Sequence, residues 1–441
     1  MNLKNDIINN LKNNKDNFIF YKNEKIYFND LYLKIKEFQE LLKINNVKNI
    51  AILSDNSIEW IIADLAALFN NTCSIPLPLF FNKKQHNSII LDAKIDHIYD
   101  GKNLIKTGIN ELKQPYSKIT YTSGTTSDPK GVCLSNENIE NTIKALIERI
   151  DSRNESHLNV LPFSTLLENI CGIYLPILMK SNIFTFNLMD LGFNGYGDFN
   201  VEEFKCLLEK INKISKIETA ILLPEILRKI YLTENYDFLK CFKFLTVGGG
   251  KVNQDILLEI KNKNIKIFEG YGLSECCSVV ALNNNEFNKK GSVGKPLSHI
   301  QVEIIEGEIV VTGNSMQGYL NKEEKEERIY TGDNGYIDED GYLYVLGRKK
   351  NTIVTGYGRN INPEWIEEEF KEIKNIKNCI LIGSEEKPLT LLIDLITNVD
   401  ISKELEKINQ KLPDYAKVKY MEYRNLDNLK LSSGKINRSL L

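Results

Sequence analysis

The chain has 441 residues, 42% of them hydrophobic, enough for a large buried core and, by length, about two to three domains. A net charge of −3 and a pI near 6.0 exclude a generally basic surface for nucleic acid or anionic membrane. The opening Met1–Asp6 has no apolar signal-peptide core. The most apolar stretch, Ile58 to Phe69, carries Glu59 and Asp64, so no membrane span is expected; peripheral association stays open and the cytoplasm is the expected location.

From Asn49 onward short apolar runs alternate with amphipathic ones. The pattern predicts a strand at Ile52-Leu53, a helix from Ser57 to Asn70 and a strand from Ser74 to Leu77. It goes on with helix 137–149, strand 158–161, helix 166–179, strand 183–186, helix 201–211, strands 220–223 and 242–247, and helix 254–261. Such alternation predicts an α/β fold of layered, mostly parallel sheets covered by helices, with ligands at the carboxyl ends of strands. Between Gly291 and Gly347 the runs shorten (301–305, 308–312 and 342–346) and are separated by Gly and Asp-Gly turns, which reads as a small β-rich subdomain. Asp338-Glu339-Asp340-Gly341 lacks the length and final Glu of a calcium loop and is read as a hairpin turn. After Arg348 a glycine-punctuated loop, Gly356-Tyr357-Gly358, precedes a helix with Asn362 as N-cap and Pro363 in its first turn. With strands 379–382 and 389–396 and helix 402–411, this predicts a small α+β lid. The expected division is therefore 1–347 as the larger domain and 348–441 as a mobile lid.

The eight cysteines form no CxxC pair and read as reduced thiols; only Cys276 and Cys277 adjoin a motif. The four histidines show no ligand spacing, and no transition metal is expected.

One loop concentrates chemistry: Tyr121-Thr122-Ser123-Gly124-Thr125-Thr126-Ser127-Asp128-Pro129-Lys130-Gly131-Val132. Glycines let backbone N–H groups approach an anion, hydroxyls add donors and the lysine supplies a mobile charge, a combination suited to phosphate. The GxxxxGK[ST] spacing is absent, so this is not a Walker loop. Four more motifs follow: Leu161-Pro162-Phe163 with Glu168; Gly270-Tyr271-Gly272-Leu273-Ser274-Glu275; Tyr330-Thr331-Gly332-Asp333 leading to Gly347-Arg348; and Ser433-Gly434-Lys435-Ile436. In this order, from Tyr121 to the C-terminus, they resemble the adenylate-forming superfamily of acyl- and aryl-CoA synthetases, peptide-synthetase adenylation domains and luciferases. The Leu-Pro-Phe and Gly-Arg-Lys-Lys-Asn segments look most like long-chain fatty acyl-CoA synthetases.

The resemblance implies attack of a substrate carboxylate on the α-phosphorus of ATP, loss of pyrophosphate, and transfer of the acyl group to a thiol. Two anionic groups must converge, so the work is electrostatic and positional. By resemblance, Thr122, Ser123, Gly124, Thr125, Thr126 and Lys130 hold the phosphates. Glu275 binds Mg2+, with Thr122 and Glu168 on the metal side. Ser274 meets the α-phosphate, Tyr271 and Gly272 the adenine, and Gly249 borders the adenine and acyl pockets. Asp333 and Arg348 take the ribose. Lys435 is expected to bridge the incoming carboxylate and the α-phosphate, Lys350 to act as hinge, and Gly356 to line a thiol tunnel. Two departures from the family pattern stand out: Thr165 where many relatives have a histidine or aromatic gate, and Ser127 in place of a frequent glycine.

Leu161, Phe163, Leu166, Leu167, Ile170 and Ile173 around the expected pocket favour a fatty or other hydrophobic acid. The acceptor is coenzyme A or the phosphopantetheine thiol of an acyl carrier protein. A non-catalytic nucleotide- or acyl-binding relative is the third reading, against which Lys130, Glu275, Asp333 and Lys435 argue.

Overall fold

Apolar runs flanked by helices pair side by side when each crossover is long enough to carry a helix, and two sheets form this way. The computed structural model describes residues 2–109, 113–122, 129–150, 155–195, 199–322, 326–355, 359–430 and 436–441. In a six-stranded sheet, Cys73–Pro76 lies between Asn49–Ile52 and Lys118–Thr122, both parallel to it, and antiparallel strands close the two edges. In a nine-stranded sheet, Ile217–Leu222, Phe244–Val247 and Ile267–Tyr271 run parallel in sequence order, and their carboxyl ends open on one cleft. The α/β class with mostly parallel sheets is as the sequence predicts.

Residues before Asn49 add what the periodicity did not reveal. Phe18–Tyr21 and Glu24–Tyr27 form a hairpin around Lys22 and Asn23, both at positive φ, and its first strand pairs parallel with Ile183–Phe184.

Helix Ile58–Asn70 starts at Ser57, whose Oγ accepts from the Trp60 amide at 3.1 Å, and is buried almost all round. Its buried carboxylate, Asp64, accepts from Lys118 Nζ (2.6 Å), Ser74 Oγ (2.6 Å), Asn169 Nδ2 (2.9 Å) and the Tyr174 hydroxyl (2.7 Å). Burial alone would raise its pKa, but Lys118 and the other donors hold it below the usual value. Ser74 and Lys118 come from the six-stranded sheet, and Asn169 and Tyr174 from the helical segment that follows Thr165.

The helix expected over 166–179 is broken by a π-helical turn, Ile170–Tyr174. Pro176 has no N–H to give the Gly172 carbonyl four residues back, and Asn159 Nδ2 donates to that carbonyl instead, at 2.9 Å. A β-carbon on Gly172 would come within 2.2 Å of the same nitrogen.

The four-stranded antiparallel sheet 301–305, 308–312, 329–337 and 343–348 is the expected β-rich part, with Asp338 bonding the amides of Asp340 and Tyr342 in a hairpin turn. Beyond it, strands Ile376–Ile382, Thr390–Leu395 and Tyr420–Tyr423 carry helices Pro363–Phe370 and Ser402–Lys411 on a separate hydrophobic core. Asn362 precedes the first of these helices but makes no side-chain cap. Among the described residues no helix is long and apolar enough to cross a membrane.

Candidate active site

Strand Lys118–Thr122 ends at the cleft and Lys130–Leu134 returns from it. Ser123, Gly124, Thr125, Thr126 and Ser127 between them lie outside the described residues, as do Gly356 and Lys435. Tyr121 anchors the loop's entry by donating to Asp92 Oδ2 at 2.6 Å. On the return, Lys130 Nζ stands 5.5 Å from the centre of the Tyr319 ring, and the Tyr319 hydroxyl donates to Glu275 Oε1 at 2.8 Å. One tyrosine thus joins the lysine of the first motif to the carboxylate of the third. Tyr319 is held beside Val132 by an isolated bridge, and no motif marked it in the sequence.

Strand Ile267–Tyr271 delivers the third motif. Gly272 must be glycine, because a β-carbon there would fall 1.6 Å from the Ser278 carbonyl oxygen. Gly249, at the end of the neighbouring strand, has φ +84°. The Tyr271 hydroxyl donates to Asp333 Oδ2 at 2.7 Å, and Arg348 Nε pairs with Asp333 Oδ1 at 3.1 Å while its Nη1 bonds the Thr331 carbonyl. Burial raises the Asp333 pKa, and Arg348 works against that. Tyr271, Asp333 and Arg348 are therefore one assembly with a carboxylate and a guanidinium at the cleft. Glu275 is half-buried, and Thr122 and Ser274 line the cavity beside it. A hard carboxylate oxygen of the kind Glu275 offers is the donor chemistry that suits Mg2+.

Glu168 is not brought to this cleft. Its side chain is fully buried, Oε1 accepts from Asn159 Nδ2 (3.0 Å) and the Val160 amide (3.1 Å), and His157 Nε2 stands 3.9 Å from the same oxygen. Those bonds brace the turn before Pro162, and Glu168 is not among the residues that line the cavity. Cys276 and Cys277 are buried as well, and burial pushes the Cys277 thiol up to about 12, far from a reactive thiolate.

From Thr122, Gly248, Gly249, Tyr271 and Ser274 a cavity of about 380 Å³ runs inward. Its walls include Leu161, Leu166 and Leu167, as expected. Phe163, Ile170 and Ile173 instead turn into the core, Phe163 against Trp60 at 5.3 Å. Among the described residues no lysine or arginine lines it; its polar groups include His157, Thr219, Thr246 and Ser278. Thr165, the residue that departs from the family's histidine or aromatic gate, is part of the wall.

Residues 113–320 match the family model described as AMP-binding enzyme. The 2-succinylbenzoate–CoA ligase of Lactococcus lactis is 27% identical over 90% of this chain and 91% of its own. The chain is similar to the AMP-binding, adenylate-forming enzymes. Its class is the AMP-forming acid–thiol ligase. In fold it is similar to the o-succinylbenzoate CoA synthetase of Bacillus subtilis in complex with its acyl-adenylate, with a TM-score of 0.83, 21% identity and 98% and 97% of the two chains covered. Against a double mutant of that synthetase bound to a product analogue, the TM-score is 0.69 at 22% identity, with 99% and 98% covered. The expected likeness to long-chain fatty acyl-CoA synthetases is thereby corrected: these adenylate-forming relatives are named for an aromatic acid.

Proposed function

We propose that the chain joins 2-succinylbenzoate to coenzyme A in two steps. A carboxylate oxygen of the acid attacks the α-phosphorus of ATP, forming the acyl-adenylate as the bond to pyrophosphate breaks. The thiol sulfur of coenzyme A then bonds to the acyl carbon and AMP leaves. The observation that carries this reading is full-length kinship with a 2-succinylbenzoate–CoA ligase, together with a cavity whose mouth bears Thr122, Tyr271 and Ser274.

Mg2+, when bound, neutralises phosphate charge and orients the leaving group. Lys130 draws on the β- and γ-phosphates, held in place over Tyr319. Asp333 and Arg348 grip the ribose, Tyr271 lies against the adenine, and Gly249 keeps the passage to the acyl cavity clear. Lys435, from the C-terminal unit, supplies the positive charge between carboxylate and α-phosphate. Lys350 is the pivot by which that unit later brings Gly356 to the thiol path. The better overlay on the acyl-adenylate complex than on the product-analogue complex supports reading the present arrangement as that of the first step.

The cavity suits a compact aromatic acid. Apolar walls receive a ring, and the hydroxyls of Thr219, Thr246 and Ser278 are donors for a keto group and a second carboxylate. The fatty acid expected from the sequence gives way to this substrate. Coenzyme A is the acceptor named for the relatives, and nothing among them supports a carrier protein.

Pyrophosphate release should occur with ATP, Mg2+ and 2-succinylbenzoate and exceed that with fatty acids by tenfold or more, and the thioester should form with coenzyme A. Release with a long-chain fatty acid alone, or an acyl group delivered only to a carrier protein, would refute the assignment.

A further inference from the structure

Helix Pro224–Leu232 of the larger unit carries Arg228, which is only 9% exposed although its charge faces no carboxylate in the described ion pairs. Its guanidinium is spent on the C-terminal unit. Nε donates to the Lys371 carbonyl at 2.7 Å and Nη2 to the Ile376 carbonyl at 2.9 Å. Lys371 closes helix Pro363–Phe370, so one of the two carbonyls lies at a helix C-terminus, where the macrodipole favours a cation, and the other, of Ile376, at the start of strand Ile376–Ile382. Asn253 adds a second tie: its Oδ1 caps helix Gln254–Asn262, and its Nδ2 donates to the Glu368 carbonyl at 3.0 Å.

The same seam also contains a repulsion. Carboxylate oxygens of Asp255, from the larger unit, and of Glu369 and Glu372, from the C-terminal unit, lie within 4.8 Å of one another. Lys411 stands 3.7 Å from Glu372 and Lys290 3.8 Å from Asp255, while Asn253 donates to Glu372, so the cluster is only partly neutralised. Burial, and the neighbouring acids, raise the pKa of Glu369.

We propose that Arg228 is a positioning residue, a latch that holds the C-terminal unit in the arrangement for acyl-adenylate formation, and that the Asp255–Glu369–Glu372 cluster opposes it so that the unit can leave for thiol transfer. The proposal rests on the two-step reading above. Arg228 touches only backbone carbonyls, which water can satisfy once the unit departs, so release strands no buried polar group on the lid. A charged donor on two carbonyls is worth enough to shift the balance between arrangements by roughly ten- to a hundredfold.

The test measures the two half-reactions separately in the full chain, for Arg228→Ala, Arg228→Lys and Asp255→Asn. The first is 2-succinylbenzoate-dependent exchange of labelled pyrophosphate into ATP; the second is thioester formation from supplied 2-succinylbenzoyl-adenylate and coenzyme A. Arg228→Ala should lose roughly tenfold or more in exchange while transfer from the supplied adenylate is kept or rises, and Arg228→Lys should recover part of the loss. Asp255→Asn, which removes repulsion, should move the other way and slow transfer relative to exchange. Equal loss of both half-reactions in Arg228→Ala, or no change in either, would overturn the latch while leaving the two-step reading in place. Failure of the unaltered enzyme in both half-reactions would sink the functional reading, and the latch with it.

Discussion

Two seams run through this molecule, and they are built from different materials. The seam around helix Ile58–Asn70 is apolar, and the one ion pair buried in it among the described residues, Asp64 with Lys118, is completed by three further donors to the carboxylate. The seam between the larger unit and the C-terminal unit is polar: Arg228 and Asn253 on backbone carbonyls, Lys371 near Glu225, Lys374 paired with Glu234, and three acids in proximity. A buried apolar joint with a satisfied charge comes apart only with the fold. A joint of hydrogen bonds that water can replace separates at little cost. The contrast fits permanence at one seam and the motion proposed above at the other.

The sharpest way to break that contrast is to damage the permanent seam. Asp64→Ala leaves Lys118 buried without its partner, which should cost about 3–5 kcal/mol. Thermal or denaturant unfolding should report the loss, with no half-reaction singled out in whatever protein still folds. A stable variant with one selective catalytic defect would mean that Asp64 belongs to the moving machinery.

Next in size is Lys435→Ala. If the C-terminal unit brings this amine to the nucleotide, exchange of pyrophosphate should fall by roughly a hundred- to a thousandfold, the scale for a single charge-stabilising donor. Transfer from supplied acyl-adenylate should be nearly spared and the melting temperature unchanged. Equal loss of both half-reactions would remove the reason for a mobile unit.

Legibility in the sequence followed the same divide between local and distant causes. Strands 301–305 and 308–312 and helix 402–411 coincide with the expected bounds, because alternation, the tight Glu306-Gly307 turn and helical periodicity are all encoded within a few residues. The π turn was not legible: its cause is Asn159, on another segment, taking the carbonyl that Pro176 cannot serve. Tyr319 was missed for the same reason, since a tyrosine acquires a role only when Lys130 and Glu275 arrive on either side. The apolar stripe of Phe163, Ile170 and Ile173 was misplaced because spacing indicates a face but not which neighbour covers it, and here the core does. The motifs named the chemistry; the acid proposed above comes from what the relatives are named for.

The smallest expected effect lies where the two seams meet. Glu269 is buried on strand Ile267–Tyr271, and its Oε2 accepts from Gln254 Nε2 at 2.8 Å, on the helix whose start faces the C-terminal unit. Burial raises its pKa from 4.5 to about 7, with Gln254 and the more distant Lys251 and Lys261 only partly offsetting it. The folded state therefore holds a proton that the unfolded chain releases at lower pH. Its contribution to stability is complete below about pH 4.5 and is lost as pH rises through 7, by at most about 3 kcal/mol for a shift of this size. Glu269→Gln keeps an acceptor for Gln254 and cannot ionise, so its melting temperature should exceed that of the unaltered enzyme at pH 8 and converge with it near pH 5. A difference independent of pH would show that the carboxylate is not what titrates. Because Gln254 belongs to the helix that Asn253 caps, ionisation of Glu269 is expected to act from the apolar side on the joint for which motion is proposed. Pyrophosphate exchange should then be less sensitive to rising pH in Glu269→Gln than in the unaltered enzyme, and identical profiles would confine the effect to the fixed seam.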